Sequence, residues 1–137
     1  MATLTANVRL LEDHISLGQQ EQGHTLLLDR PKTTGGTELG FNGGHLMLLG
    51  WGACFKSNLV AAAAARGVEV RSLSLRLEGD TAETPNRFSA LRMFVTLDAD
   101  ASVREKLVTI AGNSCIVSNT LRAATEMNIV LTDAEPA

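Results

Sequence analysis

A nearly unbroken apolar run from Leu46 to Ala65, with Lys56, Ser57 and Asn58 at its centre, constrains this chain more than any other feature. Its length matches a membrane span, but a charge in the middle of a bilayer is expensive. The run therefore reads as one long central helix of a globular core, from about His45 to Arg66. Gly67 is a natural residue to end it, and Arg66 faces the negative end of the helix dipole. Apolar residues surround most of its first half, which predicts cover on nearly all sides. Gly50, Gly52 and Ala53 leave room for another backbone, and the expectation is a second helix, from this chain or a partner subunit. The alanines at 61 to 65 favour the same close packing, since alanine is the best helix former and the smallest core side chain.

Strands precede this helix. Leu4, Ala6, Val8 and Leu10 alternate with Thr5, Asn7 and Arg9, the period of a half-buried strand. Short strands are expected from His14 to Leu17 and from His24 to Asp29, with Pro31 ending the latter because proline cannot donate to a ladder. The glycines at 35, 36, 40, 43 and 44 allow residues 32 to 44 to turn sharply and run close to another backbone. A phosphate loop is not expected there, as neither Gly-x-Gly-x-x-Gly nor a Gly-Lys-Ser/Thr ending is present.

After the helix, Leu73, Leu75 and Leu77 alternate with polar residues, as do Leu91, Met93, Val95 and Leu97, which predicts an antiparallel hairpin around a loop at Gly79 to Asn86. Ser102 with Glu105 resembles a capping box for a helix lined by Val103, Leu107, Ile110 and Ala111, broken at Gly112-Asn113. A short helix from Cys115 to about Glu126 and a last strand from Met127 to Leu131 complete the reading. The sum is one α+β domain over residues 1–137, with helices on one face of mainly antiparallel sheets.

Composition narrows the function. The net charge of −3 and the absence of a basic run speak against nucleic acid. The amino terminus lacks the basic start and apolar stretch of a signal peptide, so the expected compartment is the cytoplasm, where two cysteines stay reduced. No membrane association is expected.

Those cysteines are the candidates for chemistry. A thiol attacks as thiolate and needs access and a cationic or hydrogen-bonding neighbour. Cys54 lies mid-helix, sharing a face with Gly50, Trp51, Asn58 and Ala61; a buried, inert core cysteine is the alternative. Cys115 falls in the first turn of a helix if Ser114 caps it, where amides and dipole favour an anion. Spacing alone does not bring the two sulfurs together. His14, His24 and His45 lack the close spacing of a zinc motif, and no nucleophile elbow is present. Arg9, Arg30 and Lys56 are ordinary solvated charges by default. Arg30 stands out because it borders the glycine-rich segment before the cysteine helix.

Two segments together carry a resemblance. Gly40-Phe41-Asn42-Gly43-Gly44-His45-Leu46-Met47-Leu48-Leu49-Gly50-Trp51-Gly52-Ala53-Cys54 resembles the first cysteine motif of the OsmC/Ohr family of osmotically inducible and organic hydroperoxide resistance proteins, and Cys115-Ile116-Val117-Ser118-Asn119-Thr120-Leu121 resembles the second. The resemblance implies antiparallel sheets packed around long central helices in an intertwined homodimer, with sites at the subunit interface. It implies that Cys54 is a peroxidatic nucleophile and Cys115 its resolving thiol, forming a disulfide that a cellular dithiol reduces, with a peroxide as substrate and no cofactor or metal. Arg30 is the candidate for the family's arginine. Two departures point to a divergent member: Gly44 and His45 stand where the family has a glutamate, and Ile116 stands where it has a proline. On a straight helix His45 lies about 13 Å along the axis from Cys54 and cannot be its direct base. The other function to weigh is a non-catalytic dimer of the same fold that binds a small apolar ligand; a purely structural protein with two core cysteines is a third.

Overall fold

The computed structural model describes residues 2–123, 127–129, 131 and 133. Two compact units emerge, Met1–Leu46 with Asn128–Ala137, and Met47–Met127.

The first unit is built on an antiparallel sheet of β1 (Ala6–Glu12), β2 (Ile15–Gln20) and β3 (Thr25–Leu28), in that order. Val8 pairs with Gly18 and Gly18 with Leu26, while Leu10 pairs with Ser16 and Ser16 with Leu28, so Val8, Leu10, Leu26 and Leu28 share one face. The alternation of β1 is as expected, but its apolar side is not covered: Val8 is 67% exposed and Leu10 66%. Beyond β3 the glycine-rich segment loops round to lie beside that strand, Phe41 bridging Leu28 in parallel. Phe41 N–H donates to the Leu27 carbonyl at 3.1 Å and Asp29 N–H to the Phe41 carbonyl at 3.0 Å. A Cβ on Gly40 would lie 2.2 Å from the Leu27 oxygen, and one on Gly36 2.0 Å from the Arg30 oxygen. The expected close approach of two backbones is found here.

The helix α1 (Gly43–Ala65) starts two residues earlier than expected, because Asn42 Oδ1 accepts the His45 N–H at 2.9 Å and satisfies an orphan donor of the first turn. From Met47 onward it belongs to the second unit, with the hairpin β4 (Ser72–Ala82) and β5 (Arg87–Asp98) and the helices α2 (Arg104–Ser114) and α3 (Ile116–Arg122). The hairpin register sets Leu73 against Leu97, Leu75 against Val95 and Leu77 against Met93, giving one apolar face. The opposite face carries an ion-pair cluster of Arg76, Glu78, Arg92 and Asp80.

Phe55, Leu59, Ala62 and Ala63 of α1 pack with Leu97, Ala99, Leu107, Ala111 and Cys115 into the core. This packing makes α1 a core helix, although its length and hydropathy alone suit a membrane span. Within this chain it is buried along one face only, with Leu49 47% exposed and Val60 46%. Its glycines pack on no second helix of this chain. Gly52 makes room for Leu77 of β4 rather than for a helix, since a Cβ there would meet Leu77 Cδ1 at 2.9 Å, and Gly50 has nothing within 4 Å.

Further differences concern element ends. Strand β4 continues through Gly79 to Ala82, shortening the loop. Ser102 is no cap: its hydroxyl donates to Asp100 Oδ1, and α2 begins after Val103 without a side-chain cap. α2 runs on through Gly112 and Asn113, whose carbonyls accept from Arg122 and Asn119 of α3 at 2.9 and 3.0 Å. α3 ends at Arg122. Met127, Asn128, Ile129 and Leu131 form no strand; Val130, within that expected strand, and residues 124–126 of the expected helix lie outside the described residues.

Candidate active site

One face of α1 presents Trp51, Cys54 and Asn58, three and four residues apart, hence on adjacent turns. All three are half-buried. The Asn58 amide donates to the Cys54 carbonyl at 2.9 Å and lies 3.8 Å from the Cys54 sulfur.

Cys115 is completely buried, at the joint where α2 stops and α3 starts. The expected cap Ser114 still belongs to α2, and Cys115 itself caps α3: its sulfur accepts the Ser118 N–H at 3.4 Å. The α3 side chains that bond the last α2 carbonyls fix the angle of this joint, and so the position of the sulfur. Ser118 is buried as well, and its hydroxyl oxygen accepts the Trp51 indole N–H at 2.8 Å.

Cys54, remote in sequence, packs against the buried cluster that contains Cys115. Burial pushes the Cys115 thiol up, since it disfavours the charged form. Hydrogen bonds from the Ser118 hydroxyl and amide, from Cys54 and from the Val117 amide outweigh this and hold Cys115 below the ordinary thiol value. Within this unit, among the described residues, no charged side chain hydrogen-bonds to either sulfur. A cavity of about 400 Å³ adjoins the pair through Trp51 and Ser118 and continues between Phe88, Leu91, Leu121 and Arg122.

Arg30 belongs to the first unit, exposed, with its amide donating to Asp29 Oδ1 at 2.7 Å. The histidines are scattered, His14 in the β1–β2 turn, His24 before β3 and His45 in the first turn of α1.

Sequence reasoning placed Trp51 on the Cys54 face but missed two residues. Ser118 gave no signal, because its bond to Trp51 joins α3 to α1. Asp29 gave none because its partners lie in an aperiodic loop. Its buried carboxylate accepts from the Thr37 hydroxyl at 2.6 Å and from the amides of Thr37 and Leu39, each at 3.1 Å. The Thr37 hydroxyl first of all, helped by the Leu39, Arg30 and Thr37 amides against the opposing effect of burial, lowers its pKa to about 2.

Residues 35–130 match the family model described as OsmC-like protein. The chain belongs to the OsmC-like family. Solved structures agree on the fold of this OsmC-like chain. An OsmC-like protein of Mycoplasma pneumoniae is 20% identical with a TM-score of 0.78, the match covering 88% of each chain. An organic hydroperoxide resistance protein OsmC of Legionella pneumophila is 24% identical at a TM-score of 0.64, covering 89% of this chain and 90% of that one. An organic hydroperoxide resistance protein of Elizabethkingia anophelis is 19% identical at 0.63, covering 89% of both. Identities of this size carry the architecture and not the activity. None of the curated proteins matches.

Proposed function

We propose that this OsmC-like protein is a thiol-dependent peroxidase that reduces organic or hydrogen peroxides in oxidative stress defence. The observation that carries the reading is the half-buried Cys54 thiol packed against the buried cluster that contains Cys115, remote in sequence. In this scheme the Cys54 thiolate attacks the outer peroxide oxygen, alcohol or water leaves, and a sulfenic acid remains. Cys115 then attacks the Cys54 sulfur, forming a disulfide, and a cellular dithiol restores both thiols by exchange. The cavity beside Trp51, where Phe88, Leu91 and Leu121 meet Ser89, Ser118 and Arg122, is the place proposed for the peroxide.

Arg30 is the cationic partner proposed for the thiolate, on the strength of its place beside the glycine-rich segment. A homodimer is proposed as the working form, supported by the exposed Val8, Leu10, Leu49, Val60 and Phe94, since monomers rarely expose so much apolar surface. The proposed compartment is the cytoplasm.

Purified protein given a dithiol and cumene hydroperoxide should consume the peroxide, with an intrachain Cys54–Cys115 disulfide in the mass spectrum of non-reduced peptides. Cys54→Ser should abolish turnover; unchanged turnover in that variant rules the scheme out. The second reading is a non-catalytic dimer that binds a small apolar ligand. A co-purified ligand together with no peroxide consumption would favour that second reading.

A further inference from the structure

We propose that the cavity beside Trp51 is a binding site for a small organic carboxylate, and that Arg122 is the residue that selects it. Such binding needs no chemistry at either sulfur, so it stands or falls apart from the peroxidase reading.

Charge separates this cavity from two others in the molecule. One of about 240 Å³ in the first unit is lined by Asp13, His14 and Asp29. One of about 680 Å³ between β5 and α2 carries Arg104 beside Glu105, whose charges offset each other. The cavity of about 400 Å³ beside Trp51 has a single charged residue on its wall, the cation Arg122, and no carboxylate. An anion that enters it therefore meets attraction without a competitor.

Arg122 is held in place before any ligand arrives. It follows Ser118 by four residues on α3, which sets the two on adjacent turns of one face. Its Nη1 donates to Asn119 Oδ1 at 2.7 Å and its Nη2 to the Gly112 carbonyl at 2.9 Å. Asn119 is itself tied to the Asn113 carbonyl at 3.0 Å. Both acceptors of the guanidinium are neutral, so its full charge remains, and among the described residues no carboxylate pairs with it. A guanidinium carries five N–H groups; two are taken here, which leaves three for a ligand. Fixing the fork in advance lowers the entropy lost on binding. Carboxylates answer a guanidinium with charge-assisted hydrogen bonds, about twice as strong as neutral ones.

The remaining walls describe the rest of the ligand. Phe88, Leu91, Leu121 and the Trp51 ring give an apolar body something to pack on, and aromatic walls favour a ring. Small-molecule sites span about 300–1,000 Å³, and this one lies at the low end, which suits a compact acid and not a long chain.

Calorimetric titration of the purified protein with benzoate tests this, with benzyl alcohol as the neutral counterpart. Benzoate should bind about tenfold more tightly than benzyl alcohol at low ionic strength, the scale of one hydrogen bond to a charged group, and lose most of that margin at high salt. Arg122→Gln should bring benzoate down to the level of benzyl alcohol and remove the salt dependence. Arg122→Lys, which keeps the charge without the fork, should restore part of both. Arg122 also ties α3 to α2, so Ser89→Glu is the second variant: Ser89 is exposed on β5 and lines the same cavity. That substitution gives Arg122 an internal carboxylate and should abolish benzoate binding while leaving the helix joint alone. Equal affinity of the wild type for benzoate and benzyl alcohol overturns the proposal, as does unchanged benzoate affinity in Arg122→Gln. If Arg122→Gln does not fold, wild-type affinity in Ser89→Glu overturns it equally. A protein that consumes cumene hydroperoxide yet ignores benzoate sinks the carboxylate site alone, whereas one that binds benzoate and consumes no peroxide supports this site and sinks the peroxidase reading.

Discussion

At residue 29, four donors converge on one carboxylate and organise a loop that has no regular structure. Aspartate ordinarily titrates near 3.8 and here the value falls to about 2. A depressed folded value stabilises the protein above the unfolded value and ceases to do so as pH drops through the folded one. Asp29→Asn should therefore flatten the acid limb of stability between about pH 4 and pH 2 while lowering stability at pH 7, both followed by circular dichroism during urea unfolding; an unchanged acid limb refutes the assignment. A pair of glycines offers a second contrast at the same scale. A methyl group on Gly40 meets a backbone oxygen at 2.2 Å, whereas one on Gly52 meets only the end of the Leu77 side chain at 2.9 Å. Gly40→Ala should cost about 3 kcal/mol or more, and Gly52→Ala within about 1 kcal/mol, because a leucine rotates away and alanine favours the helix. Urea midpoints decide between these values. The close approach at Gly40 was legible in sequence, since clustered glycines announce it. Asp29 was not, because a buried carboxylate and its loop amides leave no period.

Among the elements, strands and helices with strong periodicity were readable, and their joints were not. The hairpin followed from alternating leucines, and α1 from the long run around Lys56. The break between α2 and α3 was expected at Gly112-Asn113, the weakest helix formers in the stretch. It falls instead at Cys115, because α3 supplies Arg122 and Asn119 to the α2 carbonyls and tertiary bonding overrides propensity. That displacement is what puts the second sulfur at a cap rather than in a first turn. Leu107 of α2 has no exposed surface and belongs to the same buried cluster as Cys115. Leu107→Ala should cost about 2–5 kcal/mol in urea denaturation, the usual range for a buried leucine. A loss below 1 kcal/mol would mean that the core is looser than its burial indicates.

For the molecule as a whole, the apolar surface left over is as informative as the core. Sequence alone marked β1 as half-buried and the first half of α1 as covered on nearly all sides, yet Val8, Leu10 and Leu49 are exposed, as is Val60 further along α1. What would cover them is not written in one chain's periodicity. If a second copy does, the paired substitutions Leu49→Glu and Val60→Glu should move the protein from dimer to monomer in sedimentation velocity at micromolar concentration. A monomeric wild type at that concentration would rule the dimer out.

The chain has one tryptophan and no tyrosine, and that indole is tied to the serine that steadies the buried sulfur. Ultraviolet emission from this protein therefore comes from a lamp hung beside that sulfur. An S–S bond closed there would change what lies next to the lamp, so the proposed oxidation should be readable from the molecule's own light, without a dye or a coupled assay.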